Sequence, residues 1–213
     1  MFFPYKDINP TERTAIVTIT IIVINIAVFI LQIMGNGPGI LASRELALIP
    51  LELTGGNLPD SMLLAPPLSV VTYMFVHGGV GHIGFNMLFL WIFGNNIEDS
   101  MTRPRFLGFY LVTGIISGLA FVLMYPESQV SLVGASGAIS GVLGAYLLLY
   151  PFAKVHVLFI VFPIRMPAVV FIVIWFVMQI SGLMNGAGNV AWISHISGFI
   201  TGLVLYRFFL VEK

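Results

Sequence analysis

Six apolar runs, separated by turn-forming residues, constrain this chain more than any other feature. They cover residues 14–34, 80–98, 105–125, 136–150, 167–184 and 191–210. The breakers between them include Gly35-Asn36-Gly37-Pro38, Thr102-Arg103-Pro104, Tyr125-Pro126, Tyr150-Pro151 and Asn185-Gly186. Crossing about 30 Å of hydrocarbon takes roughly 20 apolar residues in a helix, because lipid leaves every backbone group to be satisfied within the segment. Composition agrees: 58% of the 213 residues are hydrophobic and 8% charged, against about 25% charged in soluble domains. The expected fold is an all-α membrane protein of six transmembrane helices, a single membrane domain over residues 1–213. The run Ala15–Met34 is too long for a signal h-region and lacks a small-x-small cleavage site, so it is expected to be a retained first span. Val155–Ile164 is apolar and β-branched, with Pro163 and Pro167 bracketing Arg165. It is expected to be an interfacial connection into span 5.

Charge placement orients the spans. With the N-terminus cytoplasmic, Lys6, Arg13, Arg103, Arg105, Lys154, Arg165, Arg207 and Lys213 lie inside and only Arg44 outside. Both termini are then cytoplasmic. The external segment 35–79 is long and mixes Arg44, Glu45, Glu52 and Asp60 with apolar patches such as Leu46–Ile49 and Met62–Leu64. It is expected to lie partly in the membrane interface. Lys+Arg and Asp+Glu balance at 9 each, so net charge says nothing about partners, and no nucleic-acid partner is expected. The absence of cysteine excludes thiol catalysis and Cys-ligated zinc.

Polar residues inside spans are costly and are functional hypotheses by default. Spans 2, 4 and 6 all run inward from the outside. Their early residues are the polar ones: His82 and Asn86, preceded by His77; Ser136; Ser194 and His195. Span 4 is only about 22 Å long at roughly 1.5 Å per residue. Ser136 is therefore expected several Å below the outer surface, reached by irregular backbone lining a water-filled cavity. Gly137, Gly141 and Ala145 form one small stripe, and Ser194, Gly198 and Gly202 another; such stripes allow close helix approach.

The chemistry is that of a nucleophile and a base. Ser136 opens a helix, where free N–H groups and the dipole favour an oxyanion; alone it reads equally as an N-cap. Ala138 stands where the G-x-S-x-G elbow has its second glycine. His195 is the candidate base, and no Asp or Glu falls in the outer half of a span, so a dyad is expected. His82 and Asn86 share a helix face and, with the Ser136 N–H, would make an oxyanion hole. A metal site from His77, His82 and His195 is the rival, disfavoured by the absence of carboxylates and cysteines beside them.

These residues meet a known family. Gly134-Ala135-Ser136-Gly137-Ala138-Ile139-Ser140-Gly141, His77-x4-His82-x3-Asn86 and His195-Ile196-Ser197-Gly198-Phe199-x2-Gly202 resemble the three motifs of rhomboid intramembrane serine proteases. Gly94-x3-Glu98 and Arg105-Phe106-Leu107 fit as well. The resemblance implies a six-span rhomboid bundle with a shortened span 4 and a long external loop between spans 1 and 2. It implies Ser136 as nucleophile, His195 as general base, and His82, Asn86 and the Ser136 N–H as oxyanion donors, with Gly134, Gly137, Gly141, Gly198 and Gly202 in support. It implies single-span membrane substrates cut near the outer face and admitted sideways from the lipid bilayer, with no cofactor and no metal. A prokaryotic inner membrane is the expected location. Two departures stand out. Ser140 occupies a position where many members carry an aromatic that stacks on the catalytic histidine, so Phe85 or Trp192 is expected to hold His195 instead. The Trp-Arg pair that some bacterial members carry in the first external loop is also absent, and Arg44 has no neighbouring tryptophan. Alternatives from other classes are a non-catalytic rhomboid-like binder of membrane segments, which would lack the serine or histidine kept here, and a transporter, disfavoured by the absence of inverted repeats.

Overall fold

A computed structural model describes residues 2–34, 44–55, 66–160, 162–186 and 190–211. The breaker Gly35–Pro38, Asp60 and the patch Met62–Leu64 lie outside these residues. In chain order the principal elements are β1 (Phe2–Ile8), α1 (Ile16–Met34), α2 (Pro50–Leu53), α3 (Ser69–Thr72), α4 (Val80–Phe89), α5 (Asn95–Ser100), α6 (Arg103–Met124), α7 (Ser136–Leu149), β2 (Lys154–Phe159), β3 (Phe162–Pro167), α8 (Ala168–Asn185) and α9 (Trp192–Phe209).

Three of these helices, α1, α6 and α8, are long and apolar enough to cross a membrane. The bent pair Pro66–Phe75 and Val80–Ser100, with 79° between its halves, makes a fourth if counted as one span. In α4–α5 the ladder passes through a π turn at Leu90–Gly94, a local widening common at functional positions. The short helix α7 has 14 residues, about 21 Å at 1.5 Å per residue.

α7 sits at the centre. Every residue from Gly137 to Tyr146 is buried, which is why its sequence is apolar or small all round. α6 and α9 pack on it through small residues. A Cβ on Gly198 would strike the Gly137 carbonyl oxygen, and one on Gly202 the Gly141 carbonyl oxygen. A Cβ on Gly144 would meet the Phe199 carbonyl, and one on Gly141 would lie 2.6 Å from the Thr113 side chain. The glycine stripes of α7 and α9 thus face each other, backbone against backbone. Ser194 does not join its stripe: it turns to α6, where Ser117 Oγ donates to the Ser194 carbonyl (2.9 Å) and Ser194 Oγ donates to the Ser117 carbonyl (3.1 Å). The reciprocal bonds satisfy both hydroxyls in an apolar surround.

The N-terminus of α1 is capped from α5. Glu98 accepts from Val17 N (3.0 Å), Thr18 N (2.7 Å) and Thr18 Oγ1 (2.8 Å). Asp99 pairs with Arg13 at 3.2 Å. Two first-turn backbone donors of α1, one side-chain hydroxyl and the helix dipole are met by acids at the C-terminal end of the second apolar run.

The fold is not purely helical. β1, β2 and β3 form an antiparallel sheet in that order, with Phe3 opposite Leu158, Ile8 opposite Lys154 and His156 opposite Arg165. The expected interfacial connection at Val155–Ile164 is therefore a strand hairpin. Its β-branched, alternating residues suit a pleated surface, with Val155 and Val157 fully buried. Pro163 and Pro167 are tolerated because β3 is an edge strand that needs no further donors. The hairpin closes where Ala168 N donates to Ala153 O (2.8 Å) and Val169 N to Pro151 O (2.8 Å), delivering the chain into α8. Asp7 ties β1 to the helices by accepting from Asn96 Nδ2 (2.8 Å) and Tyr146 OH (2.9 Å).

The described stretch 44–55, between α1 and α3, enters the core. Leu48 is fully buried and bridges to Leu132 through paired backbone bonds of 3.0 and 2.8 Å. Arg44 pairs with the buried Glu52 at 3.3 Å, so a carboxylate answers the arginine in place of an aromatic neighbour.

Candidate functional site

The site forms where the N-terminal ends of α4, α7 and α9 meet the C-terminal half of α8. Gly134 adopts φ +116°, a conformation an L side chain rarely takes. Its N–H donates to the Tyr73 carbonyl at 2.9 Å. A Cβ there would lie 2.7 Å from the His82 ring. Glycine thus lets the descending chain turn under His82 and begin α7 at Ser136.

Ser136 Oγ lies 2.8 Å from His195 Nε2. His195 Nδ1 lies 2.8 Å from Gln179 Oε1 on α8, and Gln179 Nε2 donates to the Trp175 carbonyl at 2.8 Å. The glycine contact between α7 and α9 lies one residue beyond Ser136 and one turn beyond His195, so the close crossing sets their separation. Two tryptophan rings flank the imidazole: Trp175 at 6.3 Å and 30°, Trp192 at 6.2 Å and edge-on at 86°. Trp192 is where it was expected. Phe85 is not, for its ring meets Phe3 of β1 at 6.0 Å. Ser140 uses its hydroxyl to bond the Ser136 carbonyl (2.7 Å), as a helical serine lacking another partner does.

His82 Nδ1 accepts from the Gly78 N–H at 3.3 Å, which leaves its ring proton on Nε2. Asn86 donates to the His82 carbonyl at 2.8 Å. His77 is buried against His82, the rings 5.1 Å apart, and among the described residues neither of its ring nitrogens has a hydrogen-bond partner. The Gln32 side chain holds the His77 backbone from α1, accepting from its N–H (3.1 Å) and donating to its carbonyl (3.2 Å). Among the described residues, no group of three or more His, Asp or Glu is placed to hold a metal ion.

A cavity of about 940 Å³ opens on these groups, with Ser136, His195, His82, Asn86, Phe85 and Trp175 among its lining. Of the residues expected to be functional, Ser136, His195, His82 and Asn86 share one cavity, His77 stands behind His82, and Ser194 points away. Sequence reasoning passed over Gln179 and Trp175. The signal was present: Gln179 is an amide in an apolar span, four residues from Trp175, hence on the same helix face.

Comparison with known proteins agrees with this architecture. A family model described as a rhomboid domain matches residues 67–212. Over 154 residues, 68% of this chain and 43% of the relative, the chain is 33% identical to Rhomboid protein 1, mitochondrial, of Saccharomyces cerevisiae. It is 40% identical to Rhomboid protease GluP of Bacillus subtilis over 78 residues, 37% of this chain and 15% of that one. It is 33% identical to Rhomboid protease AarA of Providencia stuartii over 141 residues, 60% of this chain and 48% of that one. The chain spans less than half the length of each of these relatives. With apolar helices of spanning length and a family model covering most of its residues, this integral membrane protein belongs to the rhomboid family.

Proposed function

We propose that the chain is an intramembrane serine endopeptidase that cleaves the membrane segments of single-span proteins. The observation that carries the reading is the 2.8 Å contact between Ser136 Oγ and His195 Nε2 inside a cavity. His195 Nε2 takes the hydroxyl proton as Ser136 Oγ attacks the scissile carbonyl. The same nitrogen returns that proton to the leaving amine, and water then resolves the acyl-enzyme by the same steps. The developing oxyanion is met by the Ser136 N–H at the start of α7, by His82 Nε2–H and by the Asn86 amide, which turns from the His82 carbonyl to do so. One such donor is worth about 3 kcal/mol. Gly134, Gly137, Gly141, Gly198 and Gly202 support the site by close backbone packing, and His77 supports His82. The whole chain, 1–213, acts as one rhomboid-like membrane unit of six spans, α7 being a shortened one. Its termini are cytoplasmic, its cavity opens outward, and a prokaryotic inner membrane is its location.

The test is labelling of detergent-solubilised protein with a fluorophosphonate probe, alongside cleavage of a model single-span substrate. Labelling is expected at Ser136 and is lost in Ser136→Ala and His195→Ala. If either variant cleaves as fast as the parent, the mechanism is wrong. His82→Ala and Asn86→Ala are expected to lower kcat more than they raise KM; losses confined to KM contradict the oxyanion role.

A further inference from the structure

We infer that Gln179, on α8, is a positioning residue that fixes the tautomer of His195 and so decides which ring nitrogen faces Ser136. This rests on the Ser136–His195 reading above. Gln179 is 5% exposed. Its Nε2 donates to the Trp175 carbonyl one turn back in the same helix, at 2.8 Å. A carbonyl only accepts, so the amide is held with its oxygen pointing the other way. The flipped amide would set oxygen against oxygen at Trp175.

The oriented Oε1 meets His195 Nδ1 at 2.8 Å. An amide oxygen carries no proton, so the hydrogen of this bond sits on Nδ1. A neutral imidazole has one ring hydrogen. Nε2 is therefore bare, and it accepts from the Ser136 hydroxyl at 2.8 Å. A backbone carbonyl orients an amide, the amide orients a ring, and the ring presents the lone pair that removes the nucleophile's proton. In soluble triads a carboxylate holds the equivalent nitrogen. Within a membrane a carboxylate at this depth brings a costly buried charge, whereas glutamine supplies the acceptor without one. Trp175 acts here twice, through its carbonyl on Gln179 and through its ring beside His195.

The experiment uses the full chain in detergent or nanodiscs, with Gln179→Met, which keeps the length and removes the acceptor, and Gln179→Glu, which keeps an acceptor. Nitrogen-15 NMR of histidine-labelled protein at about pH 8, where imidazoles are neutral, reads the tautomer. The His195 signals are assigned by their loss in His195→Ala. The parent and Gln179→Glu are expected to carry the proton on Nδ1, and Gln179→Met to move part of it to Nε2. On a model substrate, Gln179→Met is expected to lose about tenfold to a hundredfold in kcat with KM within about twofold, the effect of leaving a buried donor unpaired. Gln179→Glu keeps the acceptor for Nδ1–H but sets an oxygen against the Trp175 carbonyl, so its kcat is expected to fall between those of the parent and Gln179→Met. A parental tautomer in Gln179→Met, or a loss confined to KM, overturns the inference. If Gln179→Met does not fold, Gln179→Glu decides: the Nδ1–H form supports the assignment and the Nε2–H form refutes it. Because the NMR reading needs no activity, a parent chain that neither labels nor cleaves would sink the protease reading while leaving this one to be decided.

Discussion

Replacing Gly198 by alanine is expected to cost both stability and activity, because its missing side chain is what lets α9 lie on α7. A Cβ at Gly198 overlaps the Gly137 carbonyl oxygen. The obstacle is backbone, so no rotamer change relieves it. Restoring ordinary van der Waals separation in a close-packed interior moves the helices apart by roughly 1 Å. Overpacking of this kind costs about 1–3 kcal/mol. The upper end is expected here, since Gly202 meets the Gly141 carbonyl one turn further along the same seam. The displacement reaches the site with little loss, for Ser136 adjoins Gly137 and His195 lies one turn from Gly198. Stretching the 2.8 Å Ser136–His195 contact by such an amount costs about 10²-fold in rate. Thermal unfolding in detergent and the rate of fluorophosphonate labelling measure the two effects separately. Gly84→Ala is the control: nothing lies within 4 Å of its added Cβ, and removing a helical glycine stabilises by about 0.5–1 kcal/mol. If Gly198→Ala melts and labels like the parent, the backbone seam does not hold the site together.

Two further outcomes test the end of the bundle where Glu98 and Asp7 lie. Glu98→Gln is expected to destabilise by about 2 kcal/mol, read as a lower melting temperature, because charge-assisted bonds to the first turn of α1 are replaced by weaker neutral ones. Asp7 makes the second: burial, partly offset by its bond from Tyr146, holds its carboxyl above the usual value of 3.8. The folded state then favours the protonated acid, so the stability it contributes is fully present below pH 3.8 and is lost as pH rises through the folded value. Asp7→Asn, whose amide oxygen still accepts from Asn96 and Tyr146, is expected to melt higher than the parent at neutral pH and to flatten that slope. A variant that melts lower at neutral pH than at pH 4 relative to the parent contradicts the argument.

Much of the site was legible because the chemistry demands rare residues in an apolar background. A serine at one helix start and a histidine in the first turn of another stand out in a background this apolar. Glycine spacing likewise announced a close crossing. The seam shows why Gly198 and Gly202 belong to it while Ser194 does not: a hydroxyl needs a partner, and Ser117 of α6 supplies one. Gln179 escaped notice because an amide is uncharged and common enough to pass as a packing residue. The role inferred for it exists only through two bonds, one to Trp175 within α8 and one across to His195 on α9.

The sheet marks the other boundary. Val155–Ile164 reads as apolar and β-branched, which fits a strand, a buried turn or an interfacial stretch alike. Only pairing with Phe2–Ile8, about 150 positions away in sequence, makes it a strand, and no local pattern encodes a partner so distant. By itself the sequence determined that the chain lives in lipid, roughly where its long apolar helices lie, and which polar residues need explaining, because lipid penalises every unpaired polar group and leaves that penalty written in the composition. What only the tertiary structure decided is who pairs with whom: Trp175 rather than Phe85 beside His195, Gln179 behind it, Ser117 against Ser194, and β1 against β2. Those choices depend on distances of a few ångströms between segments far apart along the chain, and periodicity carries no information about them.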